Sequence, residues 1–208
     1  MTALLGRASA VLIATIWLAG PALAHHPMGG ATPSNFFEGL LSGLGHPVIG
    51  IDHLAFLVAA GLVAGVASLN LIVPLIFVGF SMLGVLLHLS APAIPLLEIL
   101  VVSSVILVGG LLAYGARILP TWWCALFALA GVFHGYAYGE AVVGAEVTPV
   151  GAYLMGLVIV QTAVVAAIAF MVKKTATSPG AIAPRLAGAL VAAIGLAVLA
   201  QQVMASAG

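Results

Sequence analysis

His46-Pro47-Val48-Ile49-Gly50-Ile51-Asp52-His53 leads into an apolar run that continues to Val66, and this stretch decides the class of protein. Two imidazoles and a carboxylate stand at the head of a segment that otherwise suits hydrocarbon. An ionisable side chain inside a bilayer costs roughly 3 kcal/mol or more, so a cluster of them marks a functional site by default. His46 and His53 are seven positions apart, which returns them to nearly the same face of a continuous helix. Imidazole and carboxylate together are ligands for a divalent transition metal. The stretch therefore points to a metal path through a membrane.

Composition supports the membrane. The 208-residue chain is 64% hydrophobic and only 5% charged, against roughly 25% charged in an average soluble domain. A soluble fold of this length could not solvate such a surface. Net charge is zero and no basic stripe exists, which excludes nucleic acid as an expected partner. Cys124 is the only cysteine, so neither an intrachain disulfide nor a multi-cysteine metal site can form. The 25 glycines suit helices that approach closely in lipid.

Residues 1–24 read as a signal peptide, with Arg7 as a positive n-region, an apolar stretch at 8–19, and Ala22-Leu23-Ala24 as the small-x-small cleavage pattern. Cleavage there would leave His25 as the new N-terminus, outside the cytoplasm. Residues 25–44 are then an external N-terminal segment and 45–208 a transmembrane helical domain. Six apolar segments follow, at 45–67, 71–89, 94–116, 121–141, 150–172 and 182–203, each near the roughly 20 residues that span a bilayer. Very short connections at 68–70, 90–93 and 117–120 make sequential helices antiparallel neighbours. The expected fold is all-α, a polytopic membrane bundle of six transmembrane helices.

Charge fixes an orientation independently. With the mature N-terminus outside, on the periplasmic face of the inner (plasma) membrane, Arg117, Lys173, Lys174 and Arg185 fall on the cytoplasmic side, as the positive-inside rule requires. Glu38 and Glu146 fall outside. Trp122 and Trp123 are expected in an aromatic belt at the cytoplasmic interface. In this arrangement His46, Asp52, His53, His88, Glu98, His134 and Glu140 all lie in the outer half of the membrane, with Asp52 and His53 about 10 Å deeper than His46. No basic side chain is available there for the acids. Buried carboxylates without cations are expensive unless protonated or bound to metal, which argues for cation binding.

A second constellation is Phe133-His134-Gly135-Tyr136-Ala137-Tyr138-Gly139-Glu140, in which His134 and Glu140 repeat the six-residue interval of His46 and Asp52. Antiparallel helices would put His134 near the depth of Asp52. Ordered along the chain, His46-Pro47-x-x-Gly50-x-Asp52-His53, Glu98 before an Ile/Val/Ser-rich run to Val105, and His134-Gly135-x-Ala137-x-Gly139-Glu140 resemble the HupE/UreJ family over essentially the whole chain. The resemblance implies a nickel, or nickel and cobalt, permease associated with hydrogenase or urease maturation. It also implies that His46, Asp52 and His53 act in metal uptake. Members often carry a second histidine where this chain has Tyr138, which removes a candidate ligand and leaves the metal open.

The expected function is therefore a permease, not an enzyme, moving a divalent ion (Ni²⁺, Co²⁺, Zn²⁺ or Cu²⁺) as cargo, with no permanent cofactor and with membrane lipid as its surroundings. His25 and His26, beside a free terminal amine, form a separate candidate chelate near the mouth of the path. No Walker A sequence is present, so the chain carries no such ATPase motif. Two readings from other classes stay open. One is an intramembrane zinc-dependent hydrolase, although His-Glu-x-x-His is missing. The other is a metal-binding sensor or accessory subunit without transport.

Overall fold

A computed structural model of the chain describes residues 31–91, 94–175 and 178–207. Among the described residues there are seven α-helices, one short 3-10 turn and no strand. The helices are α1 Phe36–Ile49, α2 Ile51–Val66, α3 Ile72–Ser90, α4 Leu97–Tyr114, α5 Pro120–Gly139, α6 Val147–Lys174 and α7 Ile182–Ala207, with Glu140–Val142 as the 3-10 turn after α5. The leader, its cleavage site and the His25-His26 chelate lie outside the described residues.

Helix α1 starts where local chemistry satisfies its first amides. The Asn35 side chain accepts from Glu38 N at 3.0 Å, and Glu38 Oε2 accepts from Ser34 N and Ser34 Oγ at 2.8 Å each. This reciprocal exchange is a capping box shifted by one residue. Near its other end Pro47 has no N–H to return to the Gly43 carbonyl. Three residues later Gly50 turns extended, at φ −70° and ψ 108°, and α1 stops. Helix α2 resumes at Ile51 after a bend of 77°. The single span expected at 45–67 is thus two helices, and α1 begins at Phe36, within the stretch expected to be an external segment.

Four helices, α3, α4, α6 and α7, are long and apolar enough to cross a bilayer by themselves, and the bent α1–α2 pair brings the number to five. Six spans were expected. The sixth is α5, whose 20 residues have the length to cross but whose second half is less apolar, carrying His134, Tyr136, Tyr138 and three glycines in place of aliphatic side chains. The chain is a multi-pass helical membrane bundle. Phe37, Val147 and Phe170 are more than half exposed on its outside, as lipid-facing side chains should be.

Helix association in lipid depends on close fit, because tails are as apolar as leucine. The main pairs are α3 with α5, α1 with α6 and α4 with α7, and α2 packs against α4, α6 and α7 in the middle. Glycine sits at the crossings. A Cβ on Gly135 of α5 would overlap the Ser81 carbonyl of α3, and one on Gly43 of α1 would overlap the Tyr153 carbonyl of α6. Around α2 the core is aromatic: Phe56 stacks on Phe77 at 4.7 Å between centroids, and Phe127 stacks on Trp123 at 5.6 Å. Trp123 is therefore a core residue, contrary to the belt position expected for it, whereas Trp122 is 65% exposed.

One end of the bundle collects the basic residues. Lys173 Nζ donates to the Leu69 carbonyl between α2 and α3 at 2.6 Å, and Arg185 Nε donates to the Ala113 carbonyl of α4 at 2.9 Å. Both cations occupy the carbonyl-rich ends of other helices, where positive charge is favoured.

Candidate functional site

The break at Gly50 is what builds the site. It points the last turn of α1, with His46, and the first turn of α2, with Asp52 and His53, into the same interior volume. All three side chains are buried. Discontinuous membrane helices serve this purpose elsewhere, since the opposed half-helix ends offer charge and unpaired backbone groups at mid-membrane. Asp52 Oδ1 accepts from His53 N at 2.9 Å, so the carboxylate is set at the positive end of α2. His134 enters from α5 and is fully buried. Its Nδ1 lies 2.9 Å from His53 Nδ1. The His46 and His53 rings meet edge to face at 5.8 Å. Asp52 also interacts electrostatically with His134 and with Tyr138.

Hydroxyl groups around the imidazoles assign their tautomers. Ser104 Oγ on α4 donates its one proton to the Val101 carbonyl at 2.6 Å, so it accepts from His134 Nε2 at 2.9 Å. His134 therefore carries its proton on Nε2 and presents a lone pair at Nδ1, and the proton between the two imidazoles belongs to His53. Tyr153 Oη on α6 donates to the Tyr138 carbonyl at 2.8 Å and so accepts from His46 Nδ1 at 2.9 Å. His46 thus carries its lone pair on Nε2. In each case the partner outside the cluster fixes which nitrogen faces a ligand, as outer groups do around metal-binding histidines.

The spacing of the His53 and His134 nitrogens has a chemical meaning. Two nitrogens each about 2.1 Å from one metal ion, at a right angle, are about 3 Å apart. An ion could take the place of the hydrogen bond between them once the His53 proton shifts to Nε2 and both rings turn to aim their lone pairs at it. Among the described residues, however, no group of three or more His, Cys, Asp or Glu side chains is already set around a single point. The cluster is a hydrogen-bonded network with metal-ligand chemistry, and a third ligand has to swing in.

Below the imidazoles, toward the basic end, the site is closed by aromatic rings. Phe56 and Phe77 lie 4.6 Å and 5.3 Å from the His134 ring. A further buried polar pair bridges α3 and α6, where Ser81 Oγ lies 3.1 Å from Gln161 Oε1. Tyr138 packs among the histidines, at 4.4 Å from His53, 5.2 Å from His46 and 6.4 Å from His134 between ring centroids. Its hydroxyl is buried with no hydrogen-bond partner, which ordinarily costs about 1–3 kcal/mol.

The remaining candidates stand apart. Glu98 is exposed in the first turn of α4, and Glu140 is exposed where α5 gives way to the 3-10 turn. Of the three acids expected to be buried, only Asp52 is. His88 is half-buried at the end of α3, with its ring against Tyr136 at 4.5 Å and its Nδ1 buried without a partner. Sequence reasoning passed over Ser104, Tyr138 and Tyr153 as members of the network. Ser104 carried a signal, being a hydroxyl in an apolar helix that needs a partner; Tyr153 carried none.

The family model described as HupE / UreJ protein matches residues 13–198. Protein HupE of Rhizobium leguminosarum bv. viciae is 31% identical over 124 residues, which is 59% of this chain and 62% of that protein. The match thus spans less than two thirds of that relative's length. No solved structure matches the chain.

Proposed function

We propose, from the premise that the chain belongs to the HupE/UreJ family, that it is a permease for a divalent transition metal, with nickel or cobalt as cargo. The family is associated with nickel and cobalt uptake for hydrogenase and urease. The single observation that carries the proposal is the broken α1–α2 helix, which buries His46, Asp52 and His53 together and sets His53 against His134. Lone pairs on neutral imidazoles and one carboxylate charge suit an ion that must shed part of its water. In this reading the ion enters from the side of Glu38 and Glu146 and binds between His53 and His134, the His53 proton moving from Nδ1 to Nε2 so that both imidazoles stay neutral. It leaves toward the basic end once Phe56 and Phe77 move aside.

The basic end faces the cytoplasm and the opposite end faces outward, because basic residues are retained on the inner side. The membrane is the inner (plasma) membrane, and delivery is to the maturation system of a nickel enzyme. His88, Glu98 and Glu140 lie toward the outer end, where they act as an entry vestibule rather than as ligands of the buried site.

Reconstitution of the purified protein in liposomes tests this. Time-dependent accumulation of Ni²⁺ or Co²⁺ in the lumen is expected. Binding without accumulation would make the protein a sensor or accessory subunit, and turnover of bilayer lipid would make it a hydrolase. Either result overturns the permease.

A further inference from the structure

We propose that Tyr138 is the oxygen donor of the ion site and determines which ions it accepts. The inference rests on reading the histidine cluster as an ion site and goes beyond it. The Tyr138 ring lies in contact with His53, His46 and His134. Its backbone carbonyl is held by Tyr153 Oη, the same hydroxyl that orients His46, so ring and ligand are anchored to one point. Its own hydroxyl is fully buried and without a partner among the described residues.

A buried hydroxyl left unsatisfied in the middle of ligating groups is best explained by a partner that arrives with the cargo. The phenol oxygen can bind the ion, or it can hold a water the ion still carries, acting as donor or acceptor. The two modes have the same consequence. Zn²⁺ in a closed site is satisfied by four ligands in a tetrahedron, a number the three histidines and Asp52 would supply once they close on the ion. An ion that keeps more ligands needs the extra oxygen. Tyr138 therefore favours Ni²⁺ and Co²⁺ over Zn²⁺ here.

Tyr138→Phe deletes the hydroxyl and keeps the ring. The full chain, purified in detergent, is titrated with Ni²⁺, Co²⁺ and Zn²⁺ separately, and its thermal midpoint is measured without metal. The expected result is about tenfold weaker binding of Ni²⁺ and Co²⁺, a smaller change for Zn²⁺, and a metal-free midpoint equal to or above wild type. Unchanged Ni²⁺ and Co²⁺ binding overturns the role of Tyr138 while leaving the ion site standing. A lower metal-free midpoint with the relative affinities unchanged also overturns it, since the hydroxyl would then serve the fold. Wild-type protein that binds none of the three ions removes the ion site itself, and the role of Tyr138 with it.

Discussion

Asp52 is the only buried carboxylate of the described helices, at the positive end of α2 and beside the imidazole pair. Asp52→Asn keeps size and hydrogen-bonding capacity while deleting the charge a partly dehydrated cation requires. Metal uptake per unit of membrane-inserted protein should be abolished while the protein level stays near normal. Wild-type uptake by this variant would show that the acid serves only to cap α2. Ser104→Ala acts one step further out. It removes the acceptor that keeps the His134 proton on Nε2, so affinity should fall by about tenfold, and His134→Ala should be more severe. Equal losses in the two would mean that Ser104 is itself a ligand. Their legibility in the sequence differs for a physical reason. An acid or imidazole in an apolar run is costly and so announces itself, whereas serine and tyrosine hydroxyls are tolerated in membrane helices by bonding to nearby carbonyls. Ser104 to Val101 and Tyr153 to Tyr138 do just that.

At the scale of helices, the apolar segments gave the positions of α2, α3, α4, α5, α6 and α7, because a bilayer demands length and apolarity and little else. The break at Gly50 was not legible as a break. Pro47 and Gly50 were in plain view, but each is also found within continuous membrane helices, and the packing of α1 along α6 that goes with the bend is a tertiary feature. The seven-residue spacing of His46 and His53 therefore misled: the two rings meet across a bend, not along one helix face. The α3–α5 crossing offers a test of how packing holds the site. Gly135→Val would drive a side chain into the Ser81 backbone and push α5, with His134, away from α2. A loss of about 1–3 kcal/mol in stability is expected, together with loss of metal binding. Gly79→Ala in α3 meets open space and should leave both unchanged. Thermal unfolding in detergent measures the contrast, and a Gly135→Val protein as stable as wild type would show that the two helices are not locked.

For the whole molecule, the structure gathers at one end what the sequence distributes over three connections. Lys173 reaches Leu69 in the α2–α3 loop, Arg185 reaches the end of α4, and Arg117 lies in the exposed α4–α5 loop beside them. A bundle with its cations at one end has a defined polarity in a bilayer, since translocating a lysine or arginine is disfavoured. The expected orientation puts this end in the cytoplasm and Glu146 outside. Single cysteines at 146 and 174, in a Cys124→Ser background, decide the matter with a membrane-impermeant thiol reagent applied to intact cells. Both positions are exposed, so access depends on sidedness and not on burial. Labelling is expected at 146, and at 174 only after the membrane is opened. Strong labelling of 174 in intact cells would invert the bundle. The histidine cluster would then open inward, with Phe56 and Phe77 closing its outer side, and the same residues would serve export.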